Sequence, residues 1–527
     1  RWVFVVPGSD SGWRMYYQYL PDRGPFNREQ LWHPYQKGKS PAYIVPPVAN
    51  IADGPSGLAY YPGTGLGDQF KGRFFLCDFR GGPANSGIRT FRVKPKGAFF
   101  EVVDMEKPFW RQLITDVQFA PDGSMLASDW VNGWNGLGKG RIYRYTNPAA
   151  GRDMAVTEVK NLLATGLKNL DADRLVTLLE SPDQRIRQES QFELADRRQT
   201  SKLLKVANNT RGSTLSRIHS LWAIAQILRQ DQDELLLSKL GKLAQSEDEE
   251  VVAQFVRLIG EHGRPSDSKQ ICELLDHENS RVRFFSAMAL SIIQIGNPED
   301  YSKLFQMLEE NADEDPILRH GGIMALLGDS QLLNAATAHP SRFVRLAAMI
   351  ATRKLKQDAS GFLNDPEPAI VLEAVRALHD LPEPTSKRYL AISKLIDRNI
   401  ESEPVMRRVL NANYILGGIS EAKAIARYAA AGTASEKMQL EALDILKNWN
   451  RPRNRDRVLG DFRPQLRQDS HIKDAAMALE EYLPGLLSGG PKLTQSVIDA
   501  AAALNVTEIK PSLLEIFGHQ TGDVKSR

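Results

Sequence analysis

The chain has 527 residues, 42% apolar and 25% charged, with 67 basic against 64 acidic side chains and a formal net charge of +3. This composition excludes collagen-like, disordered and disulfide-scaffold classes, and a charge so near zero argues against nucleic acid as a partner. Cys77 and Cys272 make neither a CxxCH haem motif nor a zinc set, and no apolar run approaches the ~18 residues of a membrane span.

The averages conceal a division near residue 150. The first 150 residues hold 26 of the 42 aromatic side chains and carry +6, whereas the remainder carries −3. Aromatic and β-branched runs broken by Gly and Pro predict strands and turns in the first part. Leu, Ala, Glu, Arg and Lys at helical spacing predict helices in the second. The sequence opens in the strand-like run Trp2 to Val6. Residues 1–50 are expected to hold the end of one β-unit and a long aromatic insertion. The rings between Trp2 and Trp32 serve either as core or as a sugar-stacking lip, and His33 is a loop residue or a base at the mouth of a site.

Two similar units follow. Ser56-Gly57-Leu58-Ala59-Tyr60-Tyr61-Pro62 aligns with Thr115-Asp116-Val117-Gln118-Phe119-Ala120-Pro121, an offset of 59. Leu76-Cys77-Asp78-Phe79 matches Ala127-Ser128-Asp129-Trp130, and Gly87 to Arg92 matches Gly140 to Tyr145. Phe99 to Val103 and Ala155 to Leu163 are expected as fourth strands. Four short strands per unit, repeated, describe β-propeller blades. A ring needs at least about four blades, so residues 1–150 read as the last two blades plus a remnant, with the chain cut upstream. Gly133-x4-Gly138-Lys139 mimics a P-loop, but Gly140 replaces the magnesium-binding hydroxyl and the run lies between strands; it reads as a Gly-rich hairpin. Asp78, Asp116 and Asp129 recur at blade turns, where a carboxylate ties backbone N–H groups. The alternative puts Asp116 and Arg80 in a top-face funnel.

Residues 151–167 read as a linker or closing strand, and 168–527 as an all-α array of about ten helical repeats. Anchors at Ile186, Ser216, Val251, Val282, Leu318, Val344, Ile370, Met406, Met438 and His471 are followed by a mostly small residue at +4 and an apolar one at +8. These positions share one helix face, and the small residue admits a close neighbour. Entry turns such as Pro182-Asp183, Asp315-Pro316 and Asp365-Pro366 suit helix N-termini. Six Arg follow an anchor directly (Arg187, Arg217, Arg283, Arg319, Arg345, Arg407). They either bond carbonyls and carboxylates of the preceding turns or line an acidic-partner groove. Ser526-Arg527 looks like a further anchor, so the C-terminus is expected to interrupt a repeat.

The paired helices resemble HEAT repeats. The strand wording Pro55-Ser56-Gly57-Leu58-Ala59 and Asp116-Val117 followed by Pro121-Asp122-Gly123 resembles the final blades of soluble quinoprotein sugar dehydrogenases of the glucose/sorbosone type. That resemblance implies pyrroloquinoline quinone on the propeller top, held by a Lys and two Arg, with calcium ligands and the catalytic His on other blades. By position the Lys is Arg80 here, while the two Arg become Leu113 and Thr115, and Leu113 cannot replace charge-assisted bonds to a tricarboxylate. The whole order of motifs from Asp10-Ser11-Gly12-Trp13-Arg14 to Gly140-Arg141-Ile142-Tyr143-Arg144, followed by HEAT repeats, is similar to the membrane-bound dehydrogenase family of planctomycetes and relatives. That family implies an appended c-type cytochrome with haem c and a periplasmic or extracytoplasmic location. Two functional classes stand. One is a sugar or alcohol dehydrogenase passing electrons to haem c, with a carbohydrate-like substrate on the propeller, Arg80 and Asp116 as cofactor-binding candidates and this segment inactive alone. The other is a non-catalytic scaffold offering its blades and its helical array to glycan or protein partners.

Overall fold

A computed structural model describes residues 1–131, 138–231, 234–382, 385–451, 453–463, 472–507, 509 and 511. Seven strands come first: β1 Pro55–Tyr60, β2 Phe74–Asp78, β3 Gly87–Lys96, β4 Phe99–Trp110, β5 Ile114–Phe119, β6 Met125–Asp129 and β7 Arg141–Tyr145. They form a four-stranded sheet in the order β1-β2-β3-β4 and a three-stranded sheet β5-β6-β7, all antiparallel. The sequence repeat is reproduced in the pairing. Pro55 pairs with Asp78 and Ile114 with Asp129, and each first strand is then interrupted by an irregularity at the same place.

Alternation along β2 gives its sheet two apolar faces. Phe75 and Cys77 join Tyr61, Ile88, Ile114, Val117 and Met125 in a core shared by both sheets, whereas Leu76 and Phe91 join Ile51 under Trp2. Trp2 meets Phe74 and Phe91 edge-on at 5.1 and 4.9 Å, which packs this half-buried ring against that core. Gly57 has a packing reason: a Cβ there would stand 2.5 Å from Asp116 Cα in the adjoining sheet. Gly57→Val is therefore expected to cost about 1–3 kcal/mol through overpacking, read as a lower urea midpoint at unchanged slope.

Among the described residues the sheets hold four and three strands and do not close on one another, as two units alone would not. Two expectations are corrected. Ala155 to Leu163 is no strand but lies in helix α1, Met154–Thr165, because Asp153 accepts the N–H of Ala155 as an N-cap and starts the helix just ahead of the run. Residues 1–50 hold no blade strand, only the bridge Trp2↔Ala49.

The remainder is mostly helical and HEAT-like. The anchors lie in α2 Gln184–Asp196, α3 Thr214–Asp231, α4 Glu249–His262, α5 Ser280–Ile293, α6 Pro316–Leu327, α7 Arg342–Lys354, α8 Pro368–Asp380, α9 Glu403–Leu416 and α10 Glu436–Lys447, each at the third or fourth residue. His471 and Ser526-Arg527 lie outside the described residues. Every +4 and +8 side chain of these nine helices is buried. Companion helices such as Ala172–Leu178 before α2 and Thr200–Ala207 before α3 complete the pairs. Asp183, Asp248, Asn279 and Asp315 cap α2, α4, α5 and α6 by accepting backbone N–H bonds. Asp183 also accepts the Thr64 hydroxyl at 2.6 Å, and Arg185 donates to the carbonyls of Phe119 and Ala120, so the first repeat grips both sheets.

The chain divides into two compact units. The first comprises Arg1–Ser9, His33–Lys37 and Val45–Ala347; the second comprises Asp10–Trp32, Gly38–Ile44 and Ala348–Arg527. Both incorporate pieces of the aromatic N-terminal stretch.

Candidate interaction face

The six arginines after the anchors are structural. Arg187 donates to the Ser181 carbonyl, Arg217 to that of Ala207, Arg345 to those of His339 and Pro340, and Arg319 to the Asp313 carboxylate. Arg283 lies 3.5 Å from Glu310, and Arg407 joins Glu441 and Glu403. Each guanidinium serves the turns and helices of the array itself, so these residues do not form an acidic-partner groove.

A second position, the residue six after the anchor, meets solvent or the N-terminal stretch in α2, α3, α4, α6 and α8. In α6 of the first unit this is Met324, and a Cβ on Gly8 would meet its sulfur at 2.7 Å. One turn earlier His320 Nε2–H donates to the Pro7 carbonyl at 2.9 Å. Tyr35 lies against Arg319, and its hydroxyl donates to the Asp313 carbonyl. The N-terminal stretch thus covers this helix face.

In the second unit the same position, Arg376 of α8, is 2% exposed. Glu29 accepts from Arg376 Nε at 2.9 Å and from Arg408 Nη1 of α9 at 2.7 Å. Arg408 also holds Asp380 through two bonds of 2.8 Å, and Arg376 holds Glu373, which takes the Ala42 N–H. Farther in, His379 bridges Asp380 and Asn411, and Asn411 donates to Asp456 at 2.7 Å. Burial opposes the charge on Glu29, but Arg376 and Arg408 more than offset it and hold the carboxyl below its ordinary value. Around this latch Tyr43 lies on Arg353 and Tyr19 on Arg455, while Trp13 packs on Phe26. The charges of this latch carry no sequence signal. Its aromatic partners are marked only by the density of Trp, Tyr and Phe in a segment without strand periodicity.

On α2, α3 and α4 the equivalent residues are Phe192, Trp222 and Arg257. Phe192 is 37% and Trp222 38% exposed, and Arg257 is exposed. A groove of about 210 Å³ lies along α3 and α4, with Trp222, Arg229, Arg257 and Glu261 in its wall. A second, of about 400 Å³, runs between Phe192 and Arg229. Glu261 accepts from Arg229 at 2.9 Å and from Arg257 at 3.2 Å, so two guanidinium groups share one carboxylate. Trp222 donates its indole N–H to Gln254 at 3.0 Å, which fixes the ring with one edge outward.

Beneath Trp222 lies His219. Its Nδ1 bonds Gln191 at 2.7 Å, and its Nε2 receives the Arg187 Nε–H at 3.4 Å. Burial, then the charge of Arg187, push its pKa down to about 4. The folded protein keeps this imidazole neutral while the unfolded chain protonates it near 6.5. Its contribution to stability is therefore present above pH 6.5 and is lost as the pH falls toward 4. His219→Gln is expected to lose roughly 1–2 kcal/mol less than the parent between pH 7.5 and 5 in urea unfolding. Equal losses would refute the assignment.

The candidates from the first 150 residues serve the sheets. Asp78 accepts the Gly54 N–H at 3.0 Å and pairs with Arg89 and Arg80, and Asp129 accepts the Val131 N–H at 2.9 Å. Arg80 additionally meets Asp53 at 2.8 Å. Asp116, exposed, accepts the N–H of Val117. Leu113 is buried. One arginine already shared by two carboxylates, with a buried leucine and Thr115 at the other two positions, does not supply the cations a quinone tricarboxylate needs. Gly133 lies outside the described residues. Among the described residues no group of three or more His, Cys, Asp or Glu could hold a metal ion, and no helix is long and apolar enough to cross a membrane.

A family model described as HEAT repeats matches residues 237–327, the stretch holding α4, α5 and α6. Among solved structures the chain is similar to an engineered protein at 17% identity, over 63% of this chain and 98% of that one, with a TM-score of 0.28. It is also similar to the karyopherin Kap121p at 13% identity, over 72% of this chain and 47% of that one, with a TM-score of 0.37. Importin beta matches at 12% identity, over 70% and 58% of the two chains, with a TM-score of 0.37. The chain therefore spans about half the length of these two proteins. No curated protein matches it.

Proposed function

We propose that this chain is a non-catalytic scaffold that binds protein segments on the outward face of its helical array. The observation that carries the reading is the contrast along one helix position. Met324 and Arg376 hold the protein's own N-terminal stretch, whereas Phe192, Trp222 and Arg257 offer the same face uncovered. A face that takes polypeptide in cis through a carbonyl, an aromatic ring and a carboxylate is chemically equipped to take it in trans. Screening the full chain against an array of random 12-residue peptides tests this. Saturable binding to a subset is expected, and no binding to any peptide would overturn it.

Within the same proposal the two sheets are neighbouring blades of a β-propeller, a reading supported by their shared strand order and interruption. A periplasmic or extracytoplasmic location rests on the sequence resemblance alone. The competing class, a sugar or alcohol dehydrogenase, keeps Arg80 and Asp116 as its ligand-facing positions. Dye reduction by the full-length protein with sugars, with and without pyrroloquinoline quinone and calcium, separates the two classes.

A further inference from the structure

We propose that the groove over α3 and α4 takes an acidic–aromatic peptide segment of a partner protein, with a carboxylate between Arg229 and Arg257 and an apolar ring on Trp222. The inference rests on the scaffold reading and specifies its site and its partner's chemistry.

Three observations support it. Arg229 and Arg257 stand on consecutive helices and share the single carboxylate of Glu261. Within this groove two cations thus face one anion, while Asp196 stands with Arg229 and Phe192 at the adjoining depression. The second unit supplies an internal precedent: Arg376 and Arg408, also on consecutive helices, receive Glu29 between them although each has a carboxylate of its own in Glu373 and Asp380. The segment that delivers Glu29 also carries Phe26 and Trp13, whose rings pack on each other at 4.8 Å. In the groove the complementary surface is Trp222, with Phe192 in the adjoining depression. Arg229 lies seven residues after Trp222 and so shares its helix face. A carboxylate and a ring a few residues apart on one peptide would reach both.

The geometry also selects against other occupants. A basic peptide would bring a third cation beside Arg229 and Arg257. A purely apolar one would desolvate two guanidinium groups that share the Glu261 carboxylate and would offer them no acceptor, which costs binding energy.

The test uses the full chain and a fluorescein-labelled 12-residue Gly/Ser peptide containing two Phe-Glu pairs, with a twin in which Lys replaces Glu. Anisotropy titrations are run at low and 0.15 M salt. The Glu peptide is expected to bind at least tenfold tighter than the Lys peptide. Arg257→Glu is expected to reverse that order, and Trp222→Ala to weaken both. Circular dichroism confirms that these exposed substitutions leave the helices intact. Equal binding of the two peptides, or binding unchanged by Arg257→Glu and Trp222→Ala, would overturn the groove assignment. The scaffold reading survives that result if array peptides bind elsewhere, and falls only if no peptide binds anywhere.

Discussion

Arg408→Ala is expected to destabilise the second compact unit by about 3–5 kcal/mol, because it leaves buried carboxylates without their cation. The Arg408 side chain is 1% exposed and donates to Glu29, to both oxygens of Asp380 and to the Pro404 carbonyl. Lysine cannot reproduce that fork, so Arg408→Lys should recover only part of the loss. Glu29→Gln keeps the shape and removes the charge. In a double-mutant cycle it should therefore couple to Arg408→Ala by more than about 1 kcal/mol. Acidification gives a second readout. The arginines hold the Glu29 carboxyl low, so its stabilisation is present above the unfolded value of about 4.3 and is lost as the pH falls through the folded one. The parent should lose stability below about pH 4 more steeply than Glu29→Gln. An Arg408→Ala protein within 1 kcal/mol of the parent in urea would show that the latch is dispensable.

Phe75→Ala is expected to cost about 3–5 kcal/mol in the first unit. Phe75 is fully buried and touches rings from three places: Phe70 at 5.4 Å, Phe119 of the other sheet at 5.1 Å and Phe109 at 6.3 Å. Removing it opens a cavity at the junction of the two sheets, where the aromatic neighbours cannot all collapse inward. Ile142, 73% exposed on β7, is the control, and Ile142→Ala should stay within about 0.5 kcal/mol. Thermal unfolding of both variants checks the pair. A small loss at Phe75 would mean that the sheets do not share one core.

The repeats were the most legible part of the sequence, for physical reasons. Positions 0, +4 and +8 are buried in every anchor helix from α2 to α10, and burial constrains residue type strongly enough to appear as a pattern. The strands were legible for the same reason, and Gly57 turns out to be required by the approach of Asp116 as much as by any turn. Residues 155–163 misled because Val156, Val159 and Leu163 suit a strand as well as a helix; the deciding residue, the Asp153 cap, lies outside the run. The latch was invisible. Glu29, Arg376, Arg408 and Asp456 are far apart in sequence and follow no period, and their pairing depends on how an aperiodic segment packs. The groove was not legible either: Trp222 stands outside the buried 0, +4 and +8 positions, and its meaning came from comparison with the occupied face.

The position of Glu29 has a consequence for the order of events during synthesis. It lies 347 residues before Arg376 and 379 before Arg408. At translation speeds of ~5–20 residues per second, Glu29 would leave the ribosome roughly 20–70 s before the arginines that hold it. The closure joining this segment to α8 and α9 is strongly non-local. Completion of the second unit is thus tied to completion of α9. A nascent chain stopped before that point carries its aromatic opening segment exposed, in a form that quality control can recognise.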